Sequence, residues 1–129
     1  MNVCARHSVA DILVVDDDPV NRLLLTTILE HHGHVIFEAA DGTHALAWLR
    51  ERSPDLIIVD LNMPHMDGLE FLKVFRADAR HAAVTIILHT ATTVDDGLRG
   101  LLELYAVDGV LAKPCEPHEV VRSVEAALR

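Results

Sequence analysis

Residues 12–19 read ILVVDDDP, a short apolar run that stops at three consecutive aspartates and a proline. Ile12 to Val15 have the composition of a buried strand. Asp18 followed by Pro19 supplies an N-cap and a proline at the first helical position. Strand, acidic loop and helix therefore follow one another within a few residues, as at the opening of a βα unit. Three like charges side by side disfavour their ionised forms unless a cation or hydrogen bonds compensate, so a positive group is expected nearby. Taken alone, the triplet is better explained by capping and turn formation.

The same unit recurs along the chain. The first helix carries Val20, Leu23, Leu24, Thr27 and Ile28 at helical spacing and ends at Gly33, after which HVIFEA (residues 34–39) forms a second strand. Asp41 and Gly42 lead into a helix with Ala45, Leu46, Trp48 and Leu49, closed by RSPD (52–55). LIIVD (56–60) is a third strand, apolar up to its last residue, as suits a strand covered on both faces. A loop LNMPHMDG (61–68), a helix LEFLKVFRAD (69–78) and a strand VTIILH (84–89) follow. The chain then gives a helix VDDGLRGLLELYA (94–106), a short strand GVLA (109–112) and a last helix PHEVVRSVEAAL (117–128). The order is (βα)5. Strict alternation of this kind predicts an α/β fold, a doubly wound five-stranded parallel sheet with right-handed crossovers and helices on both faces.

With 129 residues the chain fits one domain that can bury a core without staples. Half of it is hydrophobic but only 4% aromatic, so the core is expected to be mainly Leu, Ile, Val and Ala. A net charge of −9 with scattered Lys and Arg excludes direct binding to nucleic acid or an anionic membrane. Cys4 and Cys115 match no metal spacing or disulfide framework and read as free thiols in a reducing compartment. The N-terminal residues lack a signal-peptide core, and no apolar run approaches the ~20 residues of a membrane span, so a cytoplasmic location is expected. Residues 1–10 read as a tail or the end of a linker, and 11–129 as the domain.

In such sheets the ligand site lies at the carboxyl ends of the strands. Reading the residue that closes each apolar run gives Asp16 and Asp17 after the first strand, Asp60 after the third, Thr90 after the fourth and Lys113 after the fifth. The second strand ends in Glu38 and two alanines, nothing comparable. Each residue has an ordinary structural explanation by itself. Together they balance chemically, because a divalent cation with one lysine offsets three carboxylates. Magnesium suits an all-oxygen site of this kind, and neither imidazole nor thiolate is placed there for a transition metal. Such a set can stabilise charge on a phosphoryl group moving in line onto an aspartate oxygen.

The motifs VVDDDPVNR, LIIVDLNMPHMDG, ILHTA and LAKP, in this order and spacing, resemble the receiver domain of two-component response regulators from about Ile12 to Leu128. The wording of the first two is most similar to receivers of hybrid histidine kinases. The resemblance implies a flavodoxin-like strand order 2-1-3-4-5. It implies that Asp60 accepts a phosphoryl group from a histidine kinase or histidine phosphotransfer protein. Asp17 would ligate Mg²⁺ (or Mn²⁺) directly with Asp60 and the Asn62 backbone carbonyl, and Asp16 would help hold it. Thr90 and Lys113 would contact the phosphoryl group, with the Asn62 and Ala91 backbone N–H groups completing the cradle. A cis Lys113–Pro114 bond is likewise implied. A domain of this family assists its own phosphorylation and dephosphorylation and is not otherwise an enzyme. The 94–128 face would engage a downstream effector domain.

Three positions depart from the family pattern: Val110 stands where an aromatic switch residue is usual, Cys115 where Phe often follows Lys-Pro, and Ala106 where Gly commonly ends the fourth helix. Tyr105 does not fill the aromatic slot, since it falls at the end of the preceding helix. These changes bear on output more than on chemistry. The HHGH run at residues 31–34 reads as surface histidines near a helix end, His65 as solvent-exposed, His118 as the opening of the last helix, and His89 as packed in the core with a backbone hydrogen bond. An alternative function is a receiver-like interaction module that is never phosphorylated; it would have lost an acid or the lysine, and none is lost. A phosphohydrolase would want an acid or base where Asn62 stands. A nucleotide-binding domain would want glycines where DDDP repels phosphate. The sequence stops just after the last predicted helix, so the chain reads as a stand-alone receiver or as one cut from a longer protein.

Overall fold

The computed structural model describes residues 9–129. Cys4 and residues 1–8 of the expected tail lie outside this range. The order is β1 (Asp11–Val15), α1 (Pro19–His31), β2 (Val35–Ala39), α2 (Gly42–Leu49), β3 (Leu56–Asp60), α3 (Gly68–Arg76), β4 (Thr85–Thr90), α4 (Asp96–Leu104), β5 (Gly109–Ala112) and α5 (Pro117–Ala127). The strands form one parallel sheet in the order β2-β1-β3-β4-β5. The expected doubly wound, flavodoxin-like arrangement is thus the observed one. A 3-10 turn at Ala79–His81 was not anticipated, and Ala10 belongs to the fold: it is 4% exposed, and its carbonyl accepts the Val35 N–H.

Alternation along the strands divides the core between the two faces of the sheet. Leu13, Val15, Ile57, Val59, Ile86 and Leu88 join Phe71, Leu72, Phe75 and Leu102 on one side. Ile12, Val14, Leu56, Ile58, Ile87 and Leu111 join Leu25, Leu29, Val120 and Val124 on the other. The central β3 is buried along its whole length, which is why LIIVD shows no alternation.

Side-chain caps start the first four helices, at Asp18 and Asp41 as the sequence placed them and at Asp67 and Asp95 where it named none, so that α4 begins at Asp96 rather than at 94. Asp18, Asp41, Asp67 and Asp95 accept backbone N–H groups of their first turns, and Asp67 forms a reciprocal capping box with Glu70. Gly33 closes α1 at φ 90°, a left-handed conformation that favours glycine. Gly68 serves differently. Its N–H donates to Leu61 O at 2.8 Å, and a Cβ there would lie 2.5 Å from Asp60 O, so only glycine lets α3 start against the end of β3.

Two histidine expectations are corrected. His34 is 4% exposed rather than on the surface, because its Nδ1 accepts the Ala10 N–H at 3.1 Å where β1 begins. His89 is buried, but its Nε2 faces Cys115 Sγ at 3.9 Å rather than a backbone group, and its Nδ1 has no partner. Among the described residues, no helix is long and apolar enough to cross a membrane.

Candidate functional site

The carboxyl ends of β1, β3, β4 and β5 converge as the alternation requires. Asp16, Asp60 and Thr90 are 1%, 6% and 2% exposed, whereas Asp17 faces solvent. One carboxylate oxygen from each of Asp16, Asp17 and Asp60 lies within 4.8 Å of the other two. Lys113 reaches into this group, its Nζ 3.0 Å from Asp16 Oδ2 and 3.0 Å from Asp60 Oδ2. The positive group anticipated beside the aspartates therefore comes from the fifth strand, 97 positions from Asp16.

The triplet divides by function. Asp18 Oδ1 accepts the Val20 N–H at 2.9 Å and caps α1. Asp16 has every polar atom engaged: its N–H donates to Ala39 O, its Oδ1 accepts the Asp18 N–H and its Oδ2 accepts Lys113. Its carbonyl accepts Arg22 Nη1 at 2.6 Å. The Asp17 carboxylate takes no hydrogen bond from a described residue, and so is the one free to bind something else.

Asp60 Oδ1 accepts the Asn62 N–H at 3.2 Å, so both carboxylate oxygens have a donor. Burial raises the Asp60 pKa above the ordinary 3.8, and the Asp16 charge adds to this. Lys113 and the Asn62 N–H pull the other way without cancelling it. Burial alone would lower the Lys113 pKa, but its two carboxylate partners outweigh it, and the ammonium is held above its ordinary 10.5.

Thr90 Oγ1 accepts the Thr92 N–H at 3.0 Å, and Thr92 Oγ1 in turn accepts Asn62 Nδ2 at 3.2 Å. Ala91 follows Thr90 at the exposed end of β4. The Lys113–Pro114 bond is cis. Thus the structure brings together Asp16, Asp17, Asp60, Asn62, Thr90, Ala91 and Lys113. Sequence reasoning missed Thr92, which stands two residues past Thr90 as Asn62 stands two past Asp60. It also missed Arg22, although the quoted VVDDDPVNR contained it. Glu38, set aside at the end of the second strand, pairs with Arg22 Nε at 3.1 Å.

The donor set suits a hard divalent cation. All the ligands are oxygens, three carboxylates against one ammonium leave two negative charges, and one carboxylate is unengaged.

Comparison with known proteins agrees with this geometry. The profile of the family described as response regulator receiver domain matches residues 12–125. The DNA-binding response regulator MtrA of Mycolicibacterium smegmatis is 40% identical over 119 residues, which make up 92% of this chain and 50% of that protein. The chain therefore spans about half the length of its MtrA relatives. Protein PilH of Pseudomonas aeruginosa is 30% identical over 120 residues, 92% of this chain and 98% of that one. Among solved structures, chemotaxis protein CheY4 of Vibrio cholerae superposes with a TM-score of 0.88 at 30% identity, covering 94% of this chain and all of that one.

Proposed function

The chain belongs to the response regulator receiver domain family; from that premise we propose that Asp60 accepts a phosphoryl group from a histidine kinase or histidine phosphotransfer protein in the cytoplasm. The observation that carries this reading is Lys113 bridging Asp60 and Asp16, 3.0 Å from each, at the strand ends that also present Asp17 and Thr90.

In the proposed reaction an Asp60 carboxylate oxygen forms the new P–O bond. The P–N bond to the donor's imidazole breaks, and its electron pair leaves with that ring. Two donors, the Asn62 N–H and Lys113 Nζ, hold the buried carboxylate's orientation and favour its ionised form before transfer. Lys113 stays within reach of the charge as it moves outward onto the phosphoryl oxygens. Thr90 uses its oxygen to accept from Thr92, so its hydroxyl hydrogen is available to a phosphoryl oxygen. The Asn62 and Ala91 N–H groups complete the cradle. Mg²⁺ or Mn²⁺ held by Asp17, Asp60 and the Asn62 carbonyl, with Asp16 behind them, supplies neutralisation of the remaining charge when bound. Little covalent work is left to the protein; positioning and charge stabilisation carry the rate. The domain thus assists its own modification and is not otherwise an enzyme. Its output is a changed affinity of the 94–128 face, where Leu101, Leu104 and Val110 are exposed, for an effector.

A constitutive interaction module would be expected to lack one of the acids or the lysine, and all are present around one point. The test is incubation with Mg²⁺ and acetyl phosphate followed by intact mass. Wild type gains one phosphoryl group and Asp60→Asn none. Absence of the adduct on wild type, or an equal adduct on Asp60→Asn, refutes the reading.

A further inference from the structure

Every polar atom of Asp16 is held by another group, and its carbonyl is held by a side chain that is no part of the phosphoryl cradle: Arg22 on the first turn of α1. Its Nη1 donates to the Asp16 carbonyl at 2.6 Å, and its Nε pairs with Glu38 Oε1 at 3.1 Å. The Arg22 side chain is 18% exposed, so the guanidinium is lodged between the ends of β1 and β2 rather than solvated. The carbonyl it grips is the one in the Asp16–Asp17 peptide. Asp17 itself is exposed, and its carboxylate has no partner among the described residues to fix it. The orientation of its peptide plane is therefore the main constraint on where that carboxylate points. Glu38 fixes the second nitrogen of the planar fork and so sets the direction of the first.

We infer that Arg22, aimed by Glu38, is a positioning residue for divalent-cation binding: it locks the Asp16–Asp17 peptide so that the Asp17 carboxylate is presented to the cation. This rests on the reading of the acidic cluster as a metal site. It gives the end of the second strand a part in that site, supplied through α1.

A positioning role and a plain charge role have opposite signs. Arg22 brings a positive charge close to the carboxylates, so by charge alone its removal would tighten cation binding. If it acts by orientation, its removal weakens binding, as loss of groups that orient ligands does, by about ten-fold. The experiment is titration of the metal-free protein with Mn²⁺, following the free ion by electron paramagnetic resonance. It needs no phosphodonor.

Arg22→Met keeps the aliphatic stem but loses the charge and both hydrogen bonds; its dissociation constant should rise about ten-fold. Arg22→Lys restores the charge without the two-point fork and should still bind more weakly than wild type, by less than the roughly ten-fold of Arg22→Met. The Mg²⁺ concentration for half-maximal phosphorylation should rise by the same factors, while the rate at saturating Mg²⁺ returns close to that of wild type. Tighter or unchanged Mn²⁺ binding by Arg22→Met overturns the inference, as does wild-type affinity in Arg22→Lys. If Arg22→Met does not fold, Arg22→Lys decides alone. Wild type that binds no Mn²⁺ overturns the metal-site reading itself, a result distinct from either.

Discussion

Gly68→Ala places two effects in opposition, and their magnitudes decide the sign. Gly68 is the first residue of α3, and its backbone is not left-handed, so helix propensity alone favours alanine by about 1 kcal/mol. Against this, an added Cβ would sit 2.5 Å from Asp60 O and 2.8 Å from Leu61 Cα. Both are backbone atoms that cannot rotate aside, which puts the overpacking strain near the upper end of its usual range, about 3 kcal/mol. The net expectation is a loss of about 2 kcal/mol. With a slope of about 2 kcal/mol per M for a domain of this size, the urea midpoint should fall by about 1 M. Because the displaced backbone is that of Asp60, acetyl phosphate labelling at equal folded fraction should also slow. Paired urea titrations read by circular dichroism check the first point, and timed intact mass the second. A variant as stable as wild type or more so, the outcome propensity alone gives, would refute the close-approach argument.

Other changes test separate parts of the account. Asp17→Ala should weaken Mg²⁺ binding and phosphorylation, whereas Asp18→Ser, which retains a capping oxygen, should spare both; equal losses would overturn the division of the triplet. Ala106 is exposed with φ 53°, so Ala106→Gly should stabilise by up to about 1 kcal/mol, and a thermal melt shifted downward would contradict this. His89 is pushed down from 6.5 to about 4 by burial first and the Lys113 charge second, with Asp16 opposing. The unfolded chain therefore binds the proton more readily, and the contribution is whole above pH 6.5 and lost as pH falls towards 4. It amounts to about 3 kcal/mol. The stability difference between wild type and His89→Leu should change across that window, and a difference independent of pH would show that His89 does not titrate in this way.

The strand ends were legible because each depends on a local rule. A buried parallel strand announces itself as an apolar run, and the residue that stops the run is the one delivered to the carboxyl edge, as with Asp60 and Lys113. The first two helix starts were legible for the same reason, since Asp18 and Asp41 cap within three residues of themselves. Ala106 was marked as a position suited to glycine, and its backbone has the positive φ such a helix end requires. What stayed hidden depends on partners distant in sequence. His34 looked like one more surface histidine because the N–H it accepts lies 24 residues away, at Ala10. Arg22 was given no role by the sequence; its partners are a backbone carbonyl, which has no sequence signature, and Glu38, 16 residues on. His81 is buried by stacking on Phe75 with ring centroids 4.6 Å apart, across a 3-10 turn that no periodicity marks.

The central claim is that Asp60 is the residue phosphorylated. The most direct measurement is to phosphorylate the protein with Mg²⁺ and acetyl phosphate, reduce any acyl phosphate with borohydride, digest, and locate the homoserine by peptide sequencing. The account predicts reduction at position 60 alone. A phosphoryl group on a histidine, or reduction at Asp16 or Asp17 with position 60 intact, would contradict it.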